Sequence, residues 1–316
     1  MLRYRTQGLL AAGLGMLFAG CFSDPDLKTA LRPDGLPEVL SLVSIDSGGG
    51  EAPLFCKYVG DVLDEKAPGL VQGSEFCPKQ KSDFVAAGVD PLGFSLRIVF
   101  DELLDGDAVE TLDCPADEEV CYGHINTTLP VTLMCGGAAM TYDGYYYPNG
   151  NAVSFPVGPS LVVTPDDVVA TGADCTVVIN DVVKDKSGNT VATGPELNQF
   201  TFTVDALAVT GTDPVDAADV MDREVIAPDG AVAFFFNALI DPASVTAAEV
   251  EITNLDTNLP VPSDFDVVDN EIDVFGVAAL PAGNYAATIK SGATIADVAG
   301  GMTTLTADET VRFVVQ

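Results

Sequence analysis

Apolar and polar positions alternate with a period of two through much of this chain. In Phe94 to Phe100 (FSLRIVF) the residues Phe94, Leu96, Ile98 and Phe100 fall on one face of an extended strand, and Ser95 and Arg97 on the other. Similar short runs recur at Pro130 to Met134 (PVTLM), Leu161 to Thr164 (LVVT), Thr176 to Ile179 (TVVI) and Gln199 to Val204 (QFTFTV), separated by Gly, Pro, Asn and Asp. Runs of this length between turn residues predict an all-β sandwich, with the in-facing residues filling the space between two sheets. Ten-residue helical periods are missing, which argues against a βαβ enzyme scaffold.

The pattern occurs twice. Gly93 to Phe100 followed by Leu104-Asp105 aligns with Gly230 to Phe236 followed by Ile240-Asp241. Further on, Cys175 to Asn189 aligns with Tyr285 to Gly300, and each half closes on a strand, Gln199 to Val204 and Thr310 to Val315. An internal repeat of this kind predicts two copies of one unit. Gly188 and Gly300 sit where a tight turn needs positive φ.

The second half carries Pro228-Asp229-Gly230, the strand Val232 to Phe236, Asp241-Pro242-Ala243-Ser244-Val245, and Ile295-Ala296-Asp297-Val298-Ala299-Gly300. In these motifs the chain resembles the bacterial Ig-like family first described in S-layer proteins. The first half keeps Ile98-Val99-Phe100, Leu104-Asp105 and Asp185-Lys186-Ser187-Gly188-Asn189, lacks Asp-Pro-x-Ser-Val, and has long cysteine-bearing insertions. The resemblance covers roughly residues 38–316 and implies two tandem Ig-like β-sandwiches, residues 38–205 and 206–316.

Ahead of the repeats, Arg3 and Arg5 precede an uncharged apolar run from Gly8 to Phe18 and the small residues Ala19 and Gly20. Residues 1–20 therefore read as a secretory signal peptide. The run is shorter than the roughly 20 residues a spanning helix needs. Leu17-Phe18-Ala19-Gly20-Cys21 resembles the bacterial lipobox, which implies lipidation of Cys21 and attachment to a membrane through two or more acyl chains. Phe22, where an Asp would imply inner-membrane retention, favours the outer membrane. Residues 21–37, rich in Pro, Asp and small side chains, read as a tether.

The net charge is −33, and removing residues 1–20 with their two arginines makes it two units more negative. Such a chain is not expected to bind nucleic acid. After Cys21 six cysteines remain: Cys56, Cys77, Cys114, Cys121, Cys135 and Cys175. An even number in an exported chain reads as disulfides; fifteen pairings are possible, and the short-range set joins Cys56 with Cys77, Cys114 with Cys121, and Cys135 with Cys175. Zinc is the poorer reading, because there is no C-x-x-C pair and His124 is the only histidine.

Candidate chemistry is sparse. A nucleophilic triad would need His124 as its base, and no G-x-S-x-G or H-E-x-x-H motif is present. Paired carboxylates abound, as at Asp101-Glu102, Asp117-Glu118-Glu119 and Asp166-Asp167, but in so acidic a chain their number identifies nothing. Tyr142, Tyr145, Tyr146 and Tyr147 form one local aromatic cluster, read either as a contact patch for a protein or glycan or as alternate residues packed on a sheet. Asp181, Asp185, Ser187 and Asn189 could supply oxygen to calcium, although a β-turn calls for the same residues. No other cofactor is expected. The function expected is non-catalytic display of Ig-like modules at a membrane or envelope surface; the alternative is a carboxylate-based hydrolase in the insertions of the first domain.

Overall fold

The computed structural model describes residues 35–64, 77–106, 130–147 and 159–316. The first sandwich contains β1 (Val39–Asp46), β2 (Glu51–Cys56), the short hairpin β3 (Tyr58–Val59) and β4 (Val62–Leu63), and β5 (Phe94–Phe100). It continues with β6 (Val131–Cys135), β7 (Ala138–Met140), β8 (Tyr142–Tyr147), β9 (Ser160–Pro165), β10 (Asp174–Ile179) and β11 (Gln199–Thr203). One sheet has the order β2-β1-β5-β9-β8, and the other β11-β10-β6-β7. Every pairing in both sheets is antiparallel.

The second sandwich repeats the plan. Its strands are β12 (Val209–Asp213), β13 (Val225–Ile226), β14 (Ala231–Phe236), β15 (Val250–Asn254), β16 (Leu259–Val261) and β17 (Ser263–Val268). They are followed by β18 (Glu271–Gly276), β19 (Gly283–Ile289), β20 (Thr294–Ala296), β21 (Met302–Thr304) and β22 (Glu309–Val315). The sheet orders are β12-β14-β18-β17 and β13-β22-β19-β15-β16, with β20 and β21 as a separate hairpin. Without β2 and β13 at the edges, both sandwiches read the same way. The path β1-β5-β9-β8 corresponds to β12-β14-β18-β17, and β11-β10-β6-β7 to β22-β19-β15-β16. The aligned segments Phe94–Phe100 and Ala231–Phe236 are thus equivalent interior strands, β5 and β14. The bridge Leu104 to Asp185 likewise recurs as Ile240 to Asp297. These are two Ig-like β-sandwiches in tandem.

Each sandwich has its own core. In the first, Leu42, Leu96, Ile98, Phe100, Leu161 and Val163 from one sheet meet Leu133, Val177, Ile179, Phe200 and Phe202 from the other. In the second, Val232, Phe234, Phe236, Ile272 and Val274 face Ile252, Tyr285, Ala287, Val311 and Phe313. The period-two pattern is what lets these residues share one face of each strand. The first sandwich departs from a simple one in its large sheet. The face of its large sheet that points away from the core is also buried at Ser41, Val43, Arg97, Val99, Ser160 and Val162. Arg97 there donates from Nη1 to Glu51 Oε1 at 3.0 Å, which answers the cost of burying its charge. Among the described residues no helix is long and apolar enough to cross a membrane.

Candidate functional site

The motifs that define the repeat are architectural. Asp241 caps the 3-10 turn Pro242–Ser244 by accepting the Ala243 N–H at 3.0 Å, and Pro242 occupies the position where a missing N–H costs nothing. Ser244 Oγ donates to Asp241 O at 2.7 Å and accepts the Ala296 N–H at 3.0 Å, tying the motif to β20. In the first sandwich Asp185 Oδ1 accepts the N–H groups of Ser187 (2.8 Å) and Asn189 (2.7 Å), while Oδ2 accepts Asn189 Nδ2 at 2.7 Å. Gly188 follows at φ +85°, as the tight turn requires.

That geometry decides what the four proposed calcium ligands can do. Asp185 is fully buried with both carboxylate oxygens committed to turn N–H donors, and Asp181 lies exposed in the preceding turn. Asp185, Ser187 and Asn189 therefore build one turn, and Asp181 stands outside it. Among the described residues no three His, Cys, Asp or Glu are grouped so as to hold a metal ion.

The tyrosine cluster is corrected in the same way. Tyr142 and Tyr146 are each 1% exposed and belong to the first core. Tyr142 Oη donates to Val131 O at 2.9 Å and accepts the Val131 N–H at 3.3 Å. Tyr146 Oη accepts the Leu104 N–H at 2.8 Å and donates to Leu104 O at 3.3 Å. Both hydroxyls thus pin backbone, at the start of β6 and at the bridge residue Leu104, and cannot face a partner. Burial pushes the Tyr142 phenol up to about 12, with the hydrogen bond to Val131 pulling the other way. Tyr145 points to the opposite face and is partly buried; the Tyr147 side chain lies outside the described residues.

The carboxylates are scattered. Asp101 Oδ1 accepts the Glu38 N–H at 2.8 Å, Glu102 beside it is buried, and Asp166 and Asp167 are exposed. Lys57 pairs with Glu38 and, at 3.4 Å, with Asp64. Lys57 and Glu38, with Glu196, border a cleft of about 340 Å³ between the start of β1 and the 191–197 loop, walled by Leu36, Pro37, Val39, Val191 and Leu197. On the outer face of β12, β14 and β18, Asp213, Ala233 and Asp273 stand in one row. Glu271 nearby is held above the usual carboxylate range by burial first, then by Asp273 and the charge of Asp213. This is a repulsive face.

Among the described residues two disulfides are present, Cys56 with Cys77 and Cys135 with Cys175, both of them pairs of the short-range set. The second joins residues directly opposite on β6 and β10. Cys21, Cys114, Cys121, His124 and the Asp117-Glu118-Glu119 run lie outside the described residues. Sequence reasoning did not single out Thr171 or Gly301, yet the two meet Asp297 where the sandwiches touch. The signal that could have found them was Gly301 standing where the first repeat has Asn189.

No protein-family model matches the chain, and no curated protein matches it. Among solved structures it is similar to the N-terminal part of the bacterial S-layer protein SbsC at 15% identity. That alignment covers 71% of this chain and 42% of the other, with a TM-score of 0.23. It is also similar to the titin Ig tandem domains A164-A165, at 8% identity over 71% of this chain and 87% of the other (TM-score 0.19). A third is the Bacteroides ovatus mixed-linkage glucan utilization locus protein SGBP-B in complex with a mixed-linkage heptasaccharide, at 14% identity over 90% and 61% (TM-score 0.22). The chain spans under half the length of the S-layer fragment. At scores this low none of these likenesses bears on family or function.

Proposed function

We propose that the chain is an exported lipoprotein that holds two Ig-like sandwiches at an outer-membrane or envelope surface through lipid on Cys21, in a structural or adhesive role toward a protein or glycan. The observation that carries this reading is Leu17-Phe18-Ala19-Gly20-Cys21 at the end of an apolar leader, ahead of a disulfide-bonded β fold. Disulfides belong to oxidising compartments, so the fold and the leader agree on export. The four cysteines among the described residues are all paired within the first sandwich, and Cys21 precedes them in sequence. A display role suits the rest of the molecule, because its signature aspartates, serine and tyrosines are spent on turns and strand ends.

The test is fractionation of the full chain expressed in a bacterial host. The native protein is expected in the membrane fraction and Cys21→Ala in the soluble fraction. Persistence of Cys21→Ala with the membranes would overturn the anchor.

A further inference from the structure

Among the described residues two connections run between the sandwiches. The first is the linker. Val204 is buried in one core and Leu207 in the other, leaving Asp205 and Ala206 between them. These residues are pinned from both sides: Asp205 N donates to Val89 O at 2.9 Å, and Gly172 N donates to Val204 O and Asp205 O. From the second sandwich, Asn237 Nδ2 donates to Ala206 O at 2.9 Å and its Oδ1 accepts the Ala208 N–H at 2.8 Å.

The second connection bridges residues 126 apart in sequence. Thr171 N in the first sandwich donates to Asp297 Oδ2 at 2.7 Å, in a buried contact. Asp297 is the counterpart of Asp185, and its Oδ1 serves the same turn, accepting Ala299 N (2.8 Å) and Gly301 N (2.9 Å). The difference lies in the other oxygen. In the first sandwich the Asn189 side chain fills Asp185 Oδ2. In the second, the equivalent position is Gly301, which has no side chain, and Oδ2 is left for Thr171. A Cβ on Gly301 would come within 2.3 Å of Thr171 Oγ1, 2.4 Å of Asp297 Oδ2 and 2.6 Å of Thr171 N. Gly301 is not at positive φ, so space rather than backbone conformation requires glycine.

We infer that Thr171, Asp297 and Gly301 form an interdomain lock, in which a turn of the second sandwich has given up its own side-chain partner to hold the backbone of the first. With the pinned two-residue linker it gives the tandem two points of attachment, so the sandwiches keep one fixed orientation instead of swinging on a single hinge. The lock does not depend on how the chain is anchored. The donor is a backbone group, and Thr171 Oγ1 is itself buried with no hydrogen-bond partner among the described residues, so the hydroxyl contributes no bond to the lock.

Hydrogen exchange on the full chain reads this directly, through protection of residues 166–173 and 205–208 relative to the core strands. Gly301→Asn restores the self-contained turn of the first repeat, and is expected to raise exchange in both segments by about tenfold while β5 and β14 stay protected. Asp297→Asn, which keeps one oxygen for the turn and puts an amide nitrogen where Thr171 donates, is expected to do the same. Thr171→Val keeps the N–H and the shape, and should leave both segments at native rates. Native exchange in both segments of folded Gly301→Asn and Asp297→Asn proteins would overturn the lock, as would loosening by Thr171→Val equal to theirs.

Discussion

Aspartates and tyrosines in this chain act on backbone. Asp185, Asp241 and Asp297 each gather N–H groups that a turn or 3-10 end leaves unpaired, the use to which short acidic side chains are suited. Tyr142 and Tyr146 do the reciprocal job with hydroxyls that both donate and accept. The sequence showed the turn chemistry at Asp185 but not its exclusiveness: the same residue types serve a calcium loop, and only the direction of the N–H groups separates the two. The tyrosines were ambiguous for another reason. With Tyr145, Tyr146 and Tyr147 consecutive, alternation cannot say which parity faces inward until β8 is paired with β9. The buried phenol has a measurable consequence. Tyr142 ionises near 10.0 when exposed and near 12 in the fold, so its neutral form is favoured by folding. That contribution is fully present below pH 10 and is lost as the pH rises from about 10 to about 12. Denaturant titrations at successive pH values should show stability falling across that window, and Tyr142→Phe, though weaker at neutral pH, should fall less steeply there.

At the level of elements, strand existence was legible because alternation and turn residues agree. Phe94–Phe100 is β5 as read, and Gln199–Val204 contains β11. Less visible was the treatment of an exposed edge. On β17, Asp264 and Asp266 each accept the N–H of the following residue, Phe265 and Val267, at 3.0 Å. An unpaired edge strand invites another chain, and charged residues that occupy its donors blunt the invitation. Two of the three predicted cysteine pairs were legible from proximity in sequence; β6 and β10 put Cys135 opposite Cys175. That bond closes a long loop with a sequence separation of 40. Chain-entropy reasoning gives it about 4 kcal/mol. Replacing both Cys135 and Cys175 by Ala should lower the unfolding free energy by about that amount, plus a smaller packing loss, as read from urea midpoints. A double variant as stable as the native chain would remove the disulfide from the account of the first sandwich.

Across the whole molecule, the internal repeat carried most of what the sequence could say. It matched through four strands of each sheet and the bridges at Leu104 and Ile240, and one informative break, Asn189 against Gly301, marks the place where the copies touch. The buried outer face around Arg97 was not legible, because alternation assigns a residue to a face without saying whether that face meets solvent. Acidity was visible from composition, but its local arrangement was not: burial first, and then Asp273 and Asp213, hold Glu271 above the usual carboxylate range. Such mutual repulsion opposes compactness and also keeps a displayed molecule soluble. The central claim is that this folded tandem is carried by lipid on Cys21. Intact and peptide mass spectrometry of the protein purified from host membranes tests it most directly. The expected result is a chain that begins at Cys21 and bears acyl groups on that residue; an N-terminus elsewhere, or an unmodified Cys21, would contradict it.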